Sequence, residues 1–246
     1  MKILITLLLL LPIIGFAQRA KVYKSMEEAL KHPGDVQILN LNGQGLTEVP
    51  EEIAQLKNLL VLDISHNEIT VLPLFLFDLI EMSELNISHN QITEIPEEIG
   101  KFTKLFELNA PYNLLTTLPT SLSSLPALGF YLSHNQITYL PNEICELRAE
   151  DLDLSYNLIE WLPDSIGNMH VDNFKLDHNL LSELPETIGD ITEMQALDLS
   201  YNPILWLPTT LFNCTELQEL NLKKTKLKRK EIYVFEFVMD WCDVLH

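Results

Sequence analysis

Residues 82–99 read Met82-Ser83-Glu84-Leu85-Asn86-Ile87-Ser88-His89-Asn90-Gln91-Ile92-Thr93-Glu94-Ile95-Pro96-Glu97-Glu98-Ile99. The alternation Leu85-Asn86-Ile87 predicts a short strand with one apolar face. Asn90 falls where the chain must leave that strand. Its amide can donate to and accept from loop backbone that would otherwise be buried unpaired. Pro96-Glu97-Glu98-Ile99 is a helix-start pattern. Proline at the first helical position loses no hydrogen bond, and acids favour the positive end of a helix dipole.

The stretch is one of a series. Asparagines recur at Asn67, Asn90, Asn113, Asn135, Asn157, Asn179 and Asn202, at intervals of 22 or 23 residues. Gln44 and Thr225 extend the spacing by 23 at either end, which makes nine units. Eight consecutive units place proline after the second loop aliphatic, from Pro50 to Pro208. Over roughly residues 36–229 the chain resembles the leucine-rich repeat family, with its pattern LxxLxLxxNxLxxLPxxI. That resemblance implies an α/β class fold: a curved right-handed horseshoe solenoid. A parallel β-sheet lines its concave face, and short helical or 3₁₀ turns line the convex face.

Outside the repeats the chain divides into three further segments. Residues 1–17 read as a signal peptide: Lys2, an apolar run over Ile3–Ile14, then Gly15-Phe16-Ala17 before Gln18. The run is too short for a membrane span, which needs about 20 residues. The expected location is therefore the secretory pathway, ending in the periplasm or outside the cell. Residues 18–35 are expected to hold an N-terminal capping helix over about 26–31, with Ser25 and Glu28 at capping-box spacing and Pro33-Gly34 as its stop. Residues 230–246 are expected to form an amphipathic capping helix, with Ile232, Phe235, Met239 and Cys242 on the inward face.

The formal net charge is −19, which opposes binding to nucleic acid and permits a cationic partner. Residues 32–222 hold 29 acidic and 5 basic side chains, whereas Lys223–Lys230 holds six basic ones. That run reads as a solvated end cap or as a second contact surface. Of the three cysteines, Cys145 lies three repeats from Cys214. Only Cys214 and Cys242 could pair, and buried free thiols are the default.

No zinc-helix, nucleophile-turn or phosphate-loop spacing is present, so no catalytic residue, cofactor or metal is assigned. His66 and His89 should stack on adjacent strands, but a metal site needs three or four converging ligands. The family resemblance makes the concave face the expected binding surface for a protein partner. Its outward positions supply Asp63, Glu84, Glu107, Tyr131, Asp151, Asp153, Lys175 and Asp198. This polar, mostly acidic set would steer a basic partner. Two rival surfaces stand beside it. Tyr139, Trp161 and Trp206 share one loop position, and Leu74 and Phe75 replace the glutamates that other units carry on the convex side. Self-association would use that convex patch or the basic C-terminal run. The resemblance also allows an internalin-like adhesin or effector. An enzyme built on the Asp151–Asp153 pair is the remaining alternative.

Overall fold

A computed structural model of the protein describes residues 20–246. The signal peptide assigned to 1–17 lies outside the described residues. The element that repeats is a strand of three residues, and the sheet follows from stacking it. After β1 (Val22–Tyr23) come β2 (Ile38–Asn40), β3 (Val61–Asp63), β4 (Glu84–Asn86), β5 (Glu107–Asn109) and β6 (Gly129–Tyr131). Then follow β7 (Arg148–Asp153), β8 (His170–Lys175), β9 (Ala196–Asp198), β10 (Glu219–Asn221) and β11 (Asp243–Leu245). All are parallel and pair in chain order, so the molecule is a curved leucine-rich repeat solenoid.

Each strand turns one side chain inward, and these form a column: Leu39, Leu62, Leu85, Leu108, Phe130, Leu152, Phe174, Leu197 and Leu220, all buried. On the convex side, eight five-residue 3₁₀ helices follow the prolines, from Glu51–Gln55 to Thr209–Asn213. The prolines sit one place earlier than the sequence suggests, at the cap position. Their carbonyls accept the first bond, as from Ile53 to Pro50 at 3.1 Å and from Ile99 to Pro96 at 3.0 Å. A proline there still sacrifices no donor.

The two unit lengths differ at one place. In 23-residue units the residue closing the 3₁₀ helix, such as Leu56, Leu79 or Phe102, has ψ of 61–71° and leads into a turn. In the three 22-residue units the matching Leu125, Leu147 and Met169 are extended, with ψ of 141–144°. The missing residue is that turn. The chain therefore runs straight into the sheet, and β7 and β8 reach six residues. β6 does not, because Pro126 in its approach has no N–H to give to a ladder.

The asparagines bind neighbouring units together. Asn90 Nδ2 donates to its own loop at Ile87 and Ser88, and to Ile64 in the unit before, at 3.0–3.2 Å. Its Oδ1 accepts from Ile69 N at 3.0 Å. Asn67, Asn113, Asn135, Asn157, Asn179 and Asn202 repeat the donations, and all seven are buried.

Both ends add strands that the sequence reading does not contain. At the start, β1 pairs with β2, and α1 (Met26–Ala29) follows. Ser25 Oγ accepts from Glu28 N at 3.2 Å. Glu28 completes no capping box and instead pairs with Lys21 at 2.8 Å. At the other end, a capping helix over 230–246 is corrected by the structure. The helix α2 spans Arg229–Val238, and residues 243–245 form β11 against β10. Two causes act together. Asp240 and Asp243 would sit at the negative end of a longer helix. Meanwhile β10 would keep an unpaired edge, which Leu222 N and Leu245 O close at 2.7 Å.

Candidate functional site: the concave face and its rim

The outward positions of each strand lie in two columns. The first runs Glu84, Glu107, Gly129, Asp151 and Asn173, and the second runs Asp63, Asn86, Asn109, Tyr131, Asp153, Lys175 and Asp198. Register therefore sets like charges side by side. Glu84 lies directly against Glu107, both half-buried, and neither forms an ion pair among the described residues. Burial first, and then the Glu107 charge, push the Glu84 carboxyl up to about 7.

Tyr131 is held down across the sheet. A Cβ at Gly129 would lie 2.8 Å from Tyr131 Cε2, so the ring occupies the space of the side chain that glycine lacks. Its hydroxyl donates to Asp151 Oδ2 at 3.2 Å, and Asn173 donates to Asp151 Oδ1 at 2.9 Å. Burial and the nearby carboxylates raise the phenol to about 12. Sequence reasoning missed Gly129 and Asn173. The available signal was that, among the described residues, Gly129 is the only glycine at an outward strand position.

The remaining acids mostly hold local structure. Asp153 Oδ1 accepts from Ser155 N at 3.0 Å and from its Oγ at 2.6 Å, and Asp63 does the same for Ser65. Asp198 accepts from Asn221 at 2.8 Å. Exposed Lys175 lies between Asp153 and Asp198 in register. Asp177 joins this group unpredicted. Burial raises its carboxyl most, while His178 Nδ1 at 2.8 Å acts in the opposite direction. Asp151 and Asp153 share a strand face as expected, but both are engaged as positioning acceptors. Among the described residues no three His, Cys, Asp or Glu side chains converge as metal ligands.

Beside the concave face, the residue before each asparagine builds a rim. His66, His89, Tyr112, His134, Tyr156, His178 and Tyr201 stack in one unbroken column, centroids 3.9–4.3 Å apart. All seven have φ between 52 and 56°. A shallow open groove of about 620 Å³ runs along the middle of this column.

The rival surfaces are distributed differently. Tyr139 and Trp161 stack at 6.4 Å and are 43% and 52% exposed, so they do not fold onto the loops. Trp206 is exposed too, but Glu183 holds the intervening unit's place. On the convex side Leu74 is 59% exposed, while Phe75 folds down against the core and is only part of the patch. Cys145, Cys214 and Cys242 carry free thiols, and burial pushes the Cys214 and Cys242 thiols up to about 11. No described helix is long and apolar enough to cross a membrane.

Residues 35–92 match the leucine rich repeat family model. Comparison with curated protein sequences gives no match. Among solved structures the chain is similar to a leucine-rich repeat protein of Leptospira interrogans. The identity is 32% and the TM-score 0.84, over 92% of this chain and 58% of that one. It is also similar to the plant peptide hormone receptor RGFR1 in complex with RGF2, at 30% identity and TM-score 0.64. There the match covers 73% of this chain and 30% of the receptor. An internalin of Listeria monocytogenes shares the fold at TM-score 0.73 and 14% identity, over 92% and 73% of the two chains. The chain thus spans 58% of the Leptospira protein's length and 30% of the receptor's. Its asparagine ladder, parallel sheet and 3₁₀ turns give the chain the leucine-rich repeat fold that these proteins share, a fold that typically serves as a protein-binding module without catalytic activity.

Proposed function

We propose that this chain is an exported binding module that takes a basic protein segment along its concave face. The observation that carries the reading is the Glu84–Glu107 pair. Two half-buried carboxylates stand side by side without a counter-charge, and one is pushed up to about 7. A lysine or arginine from a partner supplies the missing cation, so binding relieves a repulsion already present in the free chain. Tyr131, pinned by Asp151 beside this pair, offers a rigid aromatic that costs little entropy to bury. Asp63, Asp153 and Asp198 continue the acidic track, and Lys175 breaks it at one point. Export rests on the leader at residues 1–17, and places the module in the periplasm or outside the cell. The loop aromatics Tyr139, Trp161 and Trp206 are a secondary contact in this reading. So is the convex patch of Leu74 and Phe75.

The test is capture of partners by the purified protein at low and high salt, repeated with Glu84→Lys/Glu107→Lys. Capture should weaken with salt and fall at least about tenfold in the double variant. In parallel, the Glu84 carboxyl followed by NMR should drop from about 7 into the ordinary carboxylate range when a bound segment supplies its cation. Capture indifferent to salt and to the double variant removes the concave acidic site.

A further inference from the structure

The cap over the last repeat of a solenoid is expected to be polar outside. On its inner face α2 buries Ile232, Phe235 and Met239 at its end. Its outer face is not polar. Tyr233 is 64% exposed and Phe237 73%, and Val234, Val238 and Trp241 lie between 38% and 46%. Tyr233, Val234, Phe237 and Val238 recur at the one-, three- and four-residue spacings of a helix–helix seam, and Trp241 follows just past the helix end. Tyr233 and Phe237 already stack, 6.3 Å apart. Among the described residues, the opposite end of the solenoid has no such face. There Lys21–Glu28 and Lys31–Glu27 pair across α1 at 2.8 and 3.4 Å.

The charge along α2 runs against its own dipole. Lys228, Arg229 and Lys230 crowd the positive end, and Asp240 follows the negative end. None of these cations forms an ion pair among the described residues. The arrangement that is wrong for one helix is right for two. Arg229 opens α2 and Asp240 stands in the turn two residues past its end, so the two opposite charges bracket the seam. Their midpoint nearly coincides with that of Tyr233 and Phe237. A two-fold axis through it lays a second α2 antiparallel on the first. Tyr233 then meets Phe237 of the second copy, Arg229 meets Asp240 of the second copy twice over, and the two dipoles oppose.

We infer that the outer face of α2 is an isologous interface that pairs two copies of this chain through their C-terminal caps. Its charge pattern is self-complementary under a two-fold, as closed dimers require. An anionic surface would be met by Asp240 and Glu236 as well as by the cations, and fits less well. The interface is distinct from the concave face, so the two can be tested separately.

Sedimentation equilibrium of the purified protein up to about 100 μM should show a monomer–dimer equilibrium. Arg229→Asp and Asp240→Arg should each raise the dimer Kd at least about tenfold, because each places two like-charged contacts in the interface. The combined swap Arg229→Asp/Asp240→Arg should recover most of the lost affinity. Both positions are exposed, so circular dichroism should match the parent in every variant. A protein that stays monomeric throughout overturns the proposal and leaves this face to another protein or a lipid surface. A dimer indifferent to the single reversals, or one that the swap does not rescue, overturns the antiparallel geometry.

Discussion

Two columns run along one edge of the sheet, one residue apart in every central unit. The asparagine column is buried, and each amide is satisfied on both sides by backbone. The ring column beside it lies nearer the surface and holds seven non-glycine residues at left-handed φ. A left-handed residue costs about 1–2 kcal/mol. The columns therefore solve one turn in opposite ways. Asparagine stabilises it by pairing buried polar groups, whereas the rings stabilise an unfavourable backbone by stacking on the units before and after. At both ends the stack runs out. Gly43 takes the left-handed place in the first unit with φ of 67°, and Lys224 takes it in the last with φ of 60°. The first unit's lack of a ring is thus matched by a residue that pays no left-handed cost.

The largest expected effect of breaking this contrast is on the buried column. Asn113→Ala leaves the N–H of Ile92 without its acceptor and takes one of two amide bonds from each of the carbonyls of Ile87 and Ala110, which Asn90 and Asn135 still reach. The orphaned buried N–H costs about 1–3 kcal/mol and the two weakened carbonyls add to it, so a total loss near 3 kcal/mol is expected in urea unfolding. Because units touch only their neighbours, hydrogen exchange should rise around residues 87–115 before it rises at β2 or β10. A loss below about 1 kcal/mol would mean that solvent substitutes for the amide.

The ring column should respond less, and in a way that separates stacking from backbone strain. Tyr156 stacks on His134 at 4.1 Å and on His178 at 3.9 Å. Tyr156→Ala loses both contacts and keeps the strain, for a cost of about 2 kcal/mol. Tyr156→Gly loses the same contacts but relieves the strain, and should be about 1 kcal/mol more stable than the alanine variant. The reverse order in thermal or urea unfolding would show that the left-handed backbone carries no cost here.

The same contrast explains what the sequence made legible. The asparagine period, the Leu-x-Leu alternation and the prolines each reflect a position whose chemistry is narrow, so spacing alone revealed the solenoid. The left-handed turn was hidden because tyrosine does not advertise positive φ and histidine does so only weakly, while Gly43 gives the one plain hint. On the concave face, the outward columns could be read from period two, which brought Glu84 to Glu107. The pinning of Tyr131 could not, since it depends on a missing side chain at Gly129 one strand pair from Asp151. β1 and β11 escaped because two or three residues of alternation carry no period. Their existence is decided by the sheet edges they cover.

The smallest effect is a pH dependence of the ring column. His89 lies between His66 at 4.1 Å and Tyr112 at 4.3 Å. Burial, then the neighbouring His66 and His134, lower its pKa from the ordinary histidine value. The unfolded chain therefore takes up a proton at His89 more readily than the folded one. The linkage carries no penalty above the unfolded pKa of about 6.5. Stability is lost as pH falls through that value towards the lower folded pKa, and the loss levels off below it. His89→Tyr replaces the imidazole with the ring that other units use at this place and removes its proton site. The drop in urea midpoint between about pH 7.5 and pH 5.5 should be smaller in this variant than in the parent. An equal or larger drop would show that the stack accepts a charged imidazole as readily as a neutral one, and that the rings are held by their backbone alone.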